Sequence, residues 1–150
     1  MLPSTTQRVR LHTSERINQR SLYETRMRVD WYERHPQQIN ARLMELEEEW
    51  DIERILETNA SSLILVGSLL ALTQGSRWAL LPFGVSVFLL QHALQGWCPP
   101  VPILRRFGFR TESEINFERV ALKALRGDFG RLNAAQEDSR AAHALMAAQA

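Results

Sequence analysis

The sequence predicts an all-α fold, in which a two-helix transmembrane hairpin is flanked by cytoplasmic amphipathic helices. The 47 residues from Thr58 to Leu104 carry one formal charge, that of Arg77, whereas the segments on either side are rich in charged residues. The uncharged stretch consists of an apolar run, a short polar turn, a second apolar run and a proline-rich stop. A soluble core rarely continues this far without a polar face, so we expect a membrane hairpin. The alternative is a buried hairpin inside a soluble helical bundle.

Both apolar runs are close to the length that a membrane helix requires. Roughly 20 residues span a hydrocarbon core of about 30 Å at a rise of about 1.5 Å per residue. The second run, Trp78–Trp97, meets this length and has an indole at each end, as is typical of a membrane interface. The first run, Ala60–Gln74, is short, so we expect it to extend back to Ile55 or to thin the bilayer locally. Gly75 in the turn between them can adopt the left-handed conformation that ends a helix.

This division of the chain predicts four segments and an orientation. The segments are a helical arm, 1–57; the hairpin, 58–104; a juxtamembrane basic helix, 105–130; and an Ala-rich tail, 131–150. The turn of the hairpin has only Arg77, whereas its exit is followed by Arg105, Arg106 and Arg110. Cytoplasmic flanks carry an excess of Lys and Arg, so we expect both termini in the cytoplasm. The first fifty residues have no apolar signal-peptide core, and we expect the hairpin itself to direct insertion.

The N-terminal arm begins with residues 1–13, which are polar and predict a disordered or loosely attached segment. A helix is expected from Ser14 to about Arg34, with one apolar face formed by Tyr23, Met27 and Trp31. This face either packs on a neighbouring helix or lies on an anionic membrane surface, and both interpretations stay open. Nucleic acid binding is not expected, because four acidic residues interrupt the arginines and no recognised motif accompanies them.

The second half of the arm follows a break at His35-Pro36, because the residue before a proline is disfavoured in helical geometry. Apolar residues then recur at steps of 4, 3 and 4, and predict a seam for one partner helix: Ile39, Leu43, Leu46 and Trp50. The seam can continue without a break into the first membrane helix, which would give one rod from Gln37 to Gln74. The acidic run within it is expected to be a solvated face, and without a Glu-x-x-His partner it predicts no metal site.

Small residues in the hairpin predict close helix packing. Gly67 and Ala71 form a small-xxx-small step, and Gly84 lies on the returning helix. Closure of the hairpin on itself and dimerisation explain these residues equally well. A two-helix hairpin has little interior of its own, which favours an oligomer or a partner subunit.

A polar patch one turn before the stop contains Gln91, His92 and Gln95. Ionisable residues inside a membrane are candidate functional residues, although this patch is expected near the interface. We expect a hydrogen-bonding or interfacial role, and the alternatives are a subunit contact or a haem, metal or quinone ligand. A single histidine supplies no closed metal site within one chain, so we predict no metal and no other cofactor.

The stop contains the only cysteine of the chain, Cys98, followed by three prolines within four positions. These prolines predict an extended exit from the membrane. A reactive thiol needs a nearby cation, helix N-terminus or base, and no base is evident, so inert packing is expected. Thiol chemistry and lipidation are the alternatives.

The last predicted helix begins at a capping box, in which Thr111 is the cap and Glu114 follows three residues later. It is expected to run to Arg126 and to stop at Gly127. Its inward-facing residues are expected to be Ile115, Leu122 and Leu125. The Ala-rich tail that follows has almost nothing to bury, and we expect it to fray.

The hairpin and its stop, Gly96-Trp97-Cys98-Pro99, resemble the YgaP-like inner-membrane transmembrane domain family, a domain of unknown function with two short membrane helices and an aromatic-Cys-Pro stop. The resemblance covers roughly residues 50–107. It implies a bacterial inner-membrane location and helix-mediated dimers. Some members carry a rhodanese domain that handles sulfane sulfur, but this chain has none, so sulfur transfer is not implied by the hairpin alone.

Together these features predict a non-enzymatic membrane anchor, assembly or accessory subunit. Its predicted partners are the lipid bilayer and either a second copy or a larger membrane complex, held through the seam. The alternative is a thiol-dependent sulfur-transfer or redox protein that uses Cys98. A small channel is least expected, because polar residues do not continue through the two apolar runs.

Overall fold

The structure is a computed structural model that describes Ser4 and residues 6–129, and all regular secondary structure in this part of the chain is helical. These described residues form seven α-helices and two short 3-10 helices (Pro36–Gln38 and Ser76–Ala79). In chain order the α-helices are α1, Arg8–Leu11; α2, Glu15–Glu33; α3, Ile39–Glu48; α4, Ile52–Gln74; α5, Leu80–Gln95; α6, Val101–Arg106; and α7, Glu112–Arg126. The all-α prediction is therefore confirmed. The predicted tail, 131–150, lies outside the described residues.

The chain divides into two compact units. The first comprises the residues up to Leu22 together with Trp50–Glu114, and the second comprises Tyr23–Glu49 together with the residues from Ile115 onwards. Helices α2 and α7 therefore each contribute residues to both units. Each unit has its own apolar core.

The first unit contains the hairpin, in which α4 and α5 pack against each other. The Asp51 side chain caps α4 by accepting a hydrogen bond from the Arg54 N–H at 2.7 Å, so this helix begins before the predicted start. Its 23 residues measure about 34 Å, which exceeds the ~30 Å hydrocarbon core. The return segment, Ser76–Gln95, contains 20 residues. Both helices are long and apolar enough to cross a membrane.

The turn of the hairpin depends on Gly75, whose φ of 119° and ψ of 160° differ from the predicted left-handed helix stop. The backbone at Gly75 is extended but has a positive φ, and a residue with a Cβ rarely adopts this conformation. The glycine is therefore required, but as a sharp connector between α4 and the 3-10 helix rather than as a Schellman-type cap.

The most apolar 18-residue stretch of each hairpin helix is mostly uncovered by the described residues. Only 22% of this stretch is buried in the first helix and 6% in the second. The core helix of a soluble protein would be mostly buried. The alternative of a hairpin buried in a soluble bundle therefore finds no support in the described part of the chain.

A small core closes the base of the hairpin. It contains two residues from the first turns of α4, Ile52 and Leu56, and they pack with Val9, Cys98 and Val101. The prediction that residues 1–13 are loosely attached is thus wrong for α1, because Val9 is buried in this core. Val9 belongs to no periodic apolar pattern in this segment, and its core partners lie far away in sequence.

The proline-rich stop turns into a short helix instead of leaving the hairpin as an extended chain. Pro100 has helical angles (φ −70°, ψ −22°) and precedes α6, which has Pro102 in its first turn. Proline is tolerated there because the first N–H groups of a helix have no intrahelical partner. The predicted extended exit is therefore wrong: the prolines start a short helix that turns back onto the base of the hairpin, with Val101 in its core.

In the second unit, the predicted seam is used within the chain. Ile39, Leu43 and Leu46 are buried in a core with Ile115 and Leu122 of α7. Val29 and Tyr32 of α2 pack against this core. These three seam residues therefore do not present an open surface to a second chain, because α7 supplies the partner helix that a 4-3-4 spacing requires.

Two further expectations for the helical arms are wrong. Leu125 is exposed, because only one narrow side of α7 faces the core. The rod from Gln37 to Gln74 is interrupted, since α3 ends at Glu48 and the backbone is extended at Glu49 and Asp51. Trp50 falls in this interruption, so it does not continue the seam, and its side chain is exposed.

Candidate functional site

The outer surface of the hairpin is the largest chemically distinctive feature of the first unit. Large apolar side chains are exposed on both of its helices: Leu63, Leu65, Val66, Leu69 and Leu72 on α4, and Leu80, Phe83, Val87, Phe88, Leu90 and Leu94 on α5. Single exposed apolar residues are ordinary on a protein surface, but a contiguous patch of this extent marks a membrane or protein contact.

Three polar side chains of α4 form hydrogen bonds to the backbone of their own helix. Asn59 donates to the Ile55 carbonyl at 2.9 Å, Ser62 to the Thr58 carbonyl at 2.7 Å and Thr73 to the Leu69 carbonyl at 2.8 Å. Each bond runs back one turn along the same helix. Such bonds satisfy the polar group without water, as an apolar solvent requires.

Gly67 of α4 lies in close contact with α5. A Cβ placed on it would lie 2.7 Å from Cδ of Pro82 and 3.2 Å from Cδ2 of Leu81. Ala71, one turn further along, is half-buried. Gly84 behaves differently, because a Cβ there would meet no atom of the described residues within 4 Å. Gly67 therefore serves closure of the hairpin, whereas the described residues leave the space beside Gly84 open.

The predicted polar patch is divided by its helix. His92 is 5% exposed, Gln91 is half-buried and Gln95 is exposed, so the three side chains do not form one surface. Neither ring nitrogen of His92 has a hydrogen-bond partner among the described residues. The imidazole of His92 is therefore buried, whereas the amide side chains of Gln91 and Gln95 are more accessible.

Helix α1 lies across the end of α5 next to this histidine. Nη1 of Arg8 donates to the Ala93 carbonyl at 3.0 Å, and the Gly96 N–H donates to the His92 carbonyl at 2.7 Å. Gly96 has a φ of 78°, and a Cβ on it would lie 2.5 Å from the carbonyl carbon of Arg8. A cation at the C-terminus of a helix is favourable, so Arg8 both ends α5 and attaches the N-terminal segment to it.

Cys98 is a packing residue of the core at the base of the hairpin. Its side chain is buried with Val9, Ile52 and Leu56, and burial raises the pKa of the thiol. A reactive cysteine needs the opposite, a lowered pKa and access to a reagent. The environment of Cys98 therefore favours inert packing over thiol chemistry.

The strongest polar cluster of the first unit centres on Arg105, which the sequence reasoning treated only as a topology marker. Its guanidinium donates to both carboxylate oxygens of Glu114, at 2.6 and 2.8 Å, and to Oδ1 of Asn18 at 3.1 Å. Asn18 in turn donates to the Arg10 carbonyl at 3.1 Å. Arg105 is buried, so three chain segments are joined through one buried cation.

Glu114 has two roles in this cluster. Its carboxylate accepts from the Thr111 N–H at 3.1 Å while its own N–H donates to the Thr111 hydroxyl at 3.3 Å, which confirms the predicted capping box. Burial is the largest single influence and would raise the pKa of Glu114, but the hydrogen bond and charge of Arg105, together with the hydrogen bonds from the Thr111 N–H and from Ser21, outweigh it, and the pKa is lowered. The carboxylate is therefore held in its charged form.

A second buried carboxylate, Glu118, lies in the second unit. It is fully buried, and it accepts from Nε of Arg28 at 3.1 Å and from Nε of Arg42 at 2.9 Å. The sequence contained a signal for this residue: Glu118 stands between Ile115 and Leu122 at steps of 3 and 4, which places it on the buried face of α7. A carboxylate at a core position needs oppositely charged partners, but the spacing of residues along α7 cannot identify those partners.

These clusters are structural, since their donors and acceptors bind each other. Among the residues that the structure describes, no group of three or more His, Cys, Asp or Glu side chains is arranged to hold a metal ion. The chain matches no protein-family model, and comparisons with curated proteins and with solved structures find no significant match. Function must therefore be argued from the hairpin surface and its surroundings.

Proposed function

We propose that this chain is an integral membrane protein that serves as an anchor, assembly or accessory subunit, without catalytic activity of its own. The hairpin is its membrane-spanning part, and the helices on either side are cytoplasmic. The observation that carries the proposal is the uncovered apolar surface of α4 and α5. Burial of such a surface in hydrocarbon is favourable by about 25 cal/mol per Å², whereas exposure in water is not.

Three details of the hairpin support a bilayer as its solvent. Three polar side chains of α4, those of Asn59, Ser62 and Thr73, bond to the backbone of the same helix. Close packing at Gly67 supplies the van der Waals contact that holds membrane helices together in place of the hydrophobic effect. An exposed indole, Trp78, marks the turn end, where a membrane–water interface would lie.

The orientation with both termini in the cytoplasm continues to rest on the arginines after α5. Arg106 is exposed, whereas Arg105 and Arg110 are buried. The positive-inside tendency counts basic residues near the membrane ends, so all three still contribute to topology during insertion. A bacterial inner-membrane location follows from the resemblance of the hairpin and its stop, and is part of the proposal.

Contacts with a second copy or another subunit require surfaces other than the seam, which α7 already covers. The second unit offers two apolar faces of this kind. One is the predicted face of α2, formed by Tyr23, Met27 and Trp31, and the other lies on α7, at Phe117 and Val120; all five side chains are exposed. The small residue Gly84 offers a third contact, within the membrane.

Alkaline carbonate extraction of membranes that contain the full chain tests the membrane location. We expect the chain to stay with the lipid pellet, because the hairpin is held by apolar contact that high pH does not weaken. Release into the supernatant would contradict the location.

A photo-crosslinking residue tests the subunit role. Placed at Tyr23 or at Phe117, it is expected to trap one discrete species in native membranes, either a dimer or one neighbour. The matched control position is Glu47, an exposed residue of α3. Equal, diffuse cross-linking at all three positions would contradict a specific assembly.

A further inference from the structure

Helix α6 has two chemically different sides, although it contains only six residues. Val101 and Arg105 point into the chain and are buried, one in the apolar core and the other in the ion-pair cluster. Ile103 and Phe107, one turn apart on the other side, are exposed, and Phe107 is 78% exposed. An apolar side chain this exposed at the end of an anchored helix suggests a partner that the described part of the chain does not supply.

The position of α6 is set by the start of the hairpin. Val101 packs with Ile52 and Leu56, which belong to the first two turns of α4. The loop after α6 is fixed at the same level, because the Ile52 N–H donates to the Arg110 carbonyl at 3.0 Å. Helix α6 and its loop therefore stand beside the end of the spanning helix, at the depth of the lipid headgroups if the hairpin spans the bilayer.

Aromatic residues collect at this level. Phe109 in the loop and Trp50 before α4 are exposed, and the Arg54 guanidinium lies 4.5 Å from the centre of the Trp50 ring. Aromatic rings and arginines with apolar stems are the side chains that favour the boundary between headgroups and acyl chains.

We propose that the outer face of α6 and the loop after it, defined by Ile103, Phe107 and Phe109, is an interfacial anchor that lies in the headgroup–acyl boundary beside the hairpin. This inference rests on the proposed membrane location. The occupant of the face is lipid, because the face is continuous with the hairpin base and belongs to the same compact unit. The exposed charged residues at the start of α4, on α6 and at the start of α7 include two of each sign, Arg54 and Arg106 with Glu57 and Glu112, so anchoring does not require anionic headgroups.

Depth-dependent fluorescence quenching tests the anchor in the full chain. The native thiol is first removed by Cys98→Ala, and a single cysteine is then introduced by Phe107→Cys or Ile103→Cys and labelled with an environment-sensitive dye. A label at Leu69→Cys reports the hairpin, and one at Glu47→Cys reports an exposed position on α3. The proteins are reconstituted in vesicles of zwitterionic lipid, with and without an anionic lipid, and with brominated acyl chains.

We expect brominated lipid to quench the dye at 107 and 103 more than at 47 and less than at 69, and aqueous iodide to show the reverse order. The result should be the same in both lipid mixtures. Iodide access at 107 and 103 equal to that at 47, together with quenching at 69, would overturn the anchor and leave the membrane location intact. Absence of quenching at 69 would overturn both.

Discussion

Arg105 and Glu114 form a two-pronged ion pair, with N···O distances of 2.6 and 2.8 Å, at the base of the hairpin. The pair joins α6 to the start of α7, and through Asn18 it also reaches α2. The guanidinium is buried and the carboxylate is only 15% exposed, so removal of Arg105 leaves a poorly hydrated charge without its counter-ion.

Substitution of Arg105 by Ala should destabilise the folded chain by about 3–5 kcal/mol, the usual cost of breaking a buried pair. The neighbouring exposed residue supplies the control, and Arg106→Ala should change stability by less than about 0.5 kcal/mol. Denaturant unfolding in a mild detergent, followed by circular dichroism, measures both. Equal effects of the two substitutions would show that the buried pair contributes little.

Acid should weaken the fold through Glu114. The folded-state pKa of Glu114 is lowered below its ordinary value of 4.5, so the ion pair contributes fully above that value. Its contribution is lost as the pH falls below 4.5 and through the lower folded-state pKa. Unfolding curves from pH 6 to pH 3 are expected to show a smaller acid dependence in Glu114→Gln than in the unmodified chain, and an unchanged dependence would contradict the prediction.

The two hairpin glycines should respond oppositely to alanine. Gly67→Ala forces a methyl group to within 2.7 Å of the proline ring of Pro82, and overpacking of this kind costs about 1–3 kcal/mol. Gly84→Ala meets no described atom within 4 Å and improves helix propensity, so it should be neutral or stabilising by up to about 1 kcal/mol in a monomer.

The same pair of variants separates closure from dimerisation. Thermal unfolding in detergent gives the stability difference, and light scattering gives the oligomeric state. Loss of a dimer in Gly84→Ala would assign that glycine to a contact between copies. Equal tolerance of alanine at both positions would contradict close packing at Gly67.

Cys98 should react slowly with alkylating reagents in the folded chain. Burial both raises its pKa and blocks access, so the thiolate fraction at neutral pH is lower than that of an ordinary cysteine. The rate of iodoacetamide labelling should therefore be well below that of the same chain in denaturant and should increase with pH. Rapid labelling of the folded chain at neutral pH would instead support the thiol-dependent alternative.

Local features of the fold were readable from neighbouring residues. The break at His35-Pro36, the capping box of Thr111 and Glu114 and the stop at Gly127 all appear where their side chains predict them. Each depends on backbone geometry within about four residues, so the sequence contains the whole interaction.

Packing partners were predicted less well, because a periodic pattern shows that a face is buried without showing what covers it. The seam at Ile39 and Leu43 was correctly identified as apolar, but its partner is α7 of the same chain. Likewise Arg105 predicted only the orientation of the hairpin, and only the folded chain brings Asn18 and Glu114 to it.

By itself, the sequence determined that this protein is helical and that two of its helices are long and apolar enough to cross a membrane, because length, hydropathy and turn residues act locally. Only the tertiary structure decided that the hairpin stays uncovered, that Val9 and Cys98 close its base, and that Glu118 is clamped by two arginines. Those outcomes depend on contacts between residues up to about ninety positions apart, where burial and charge pairing are decided by which surfaces meet.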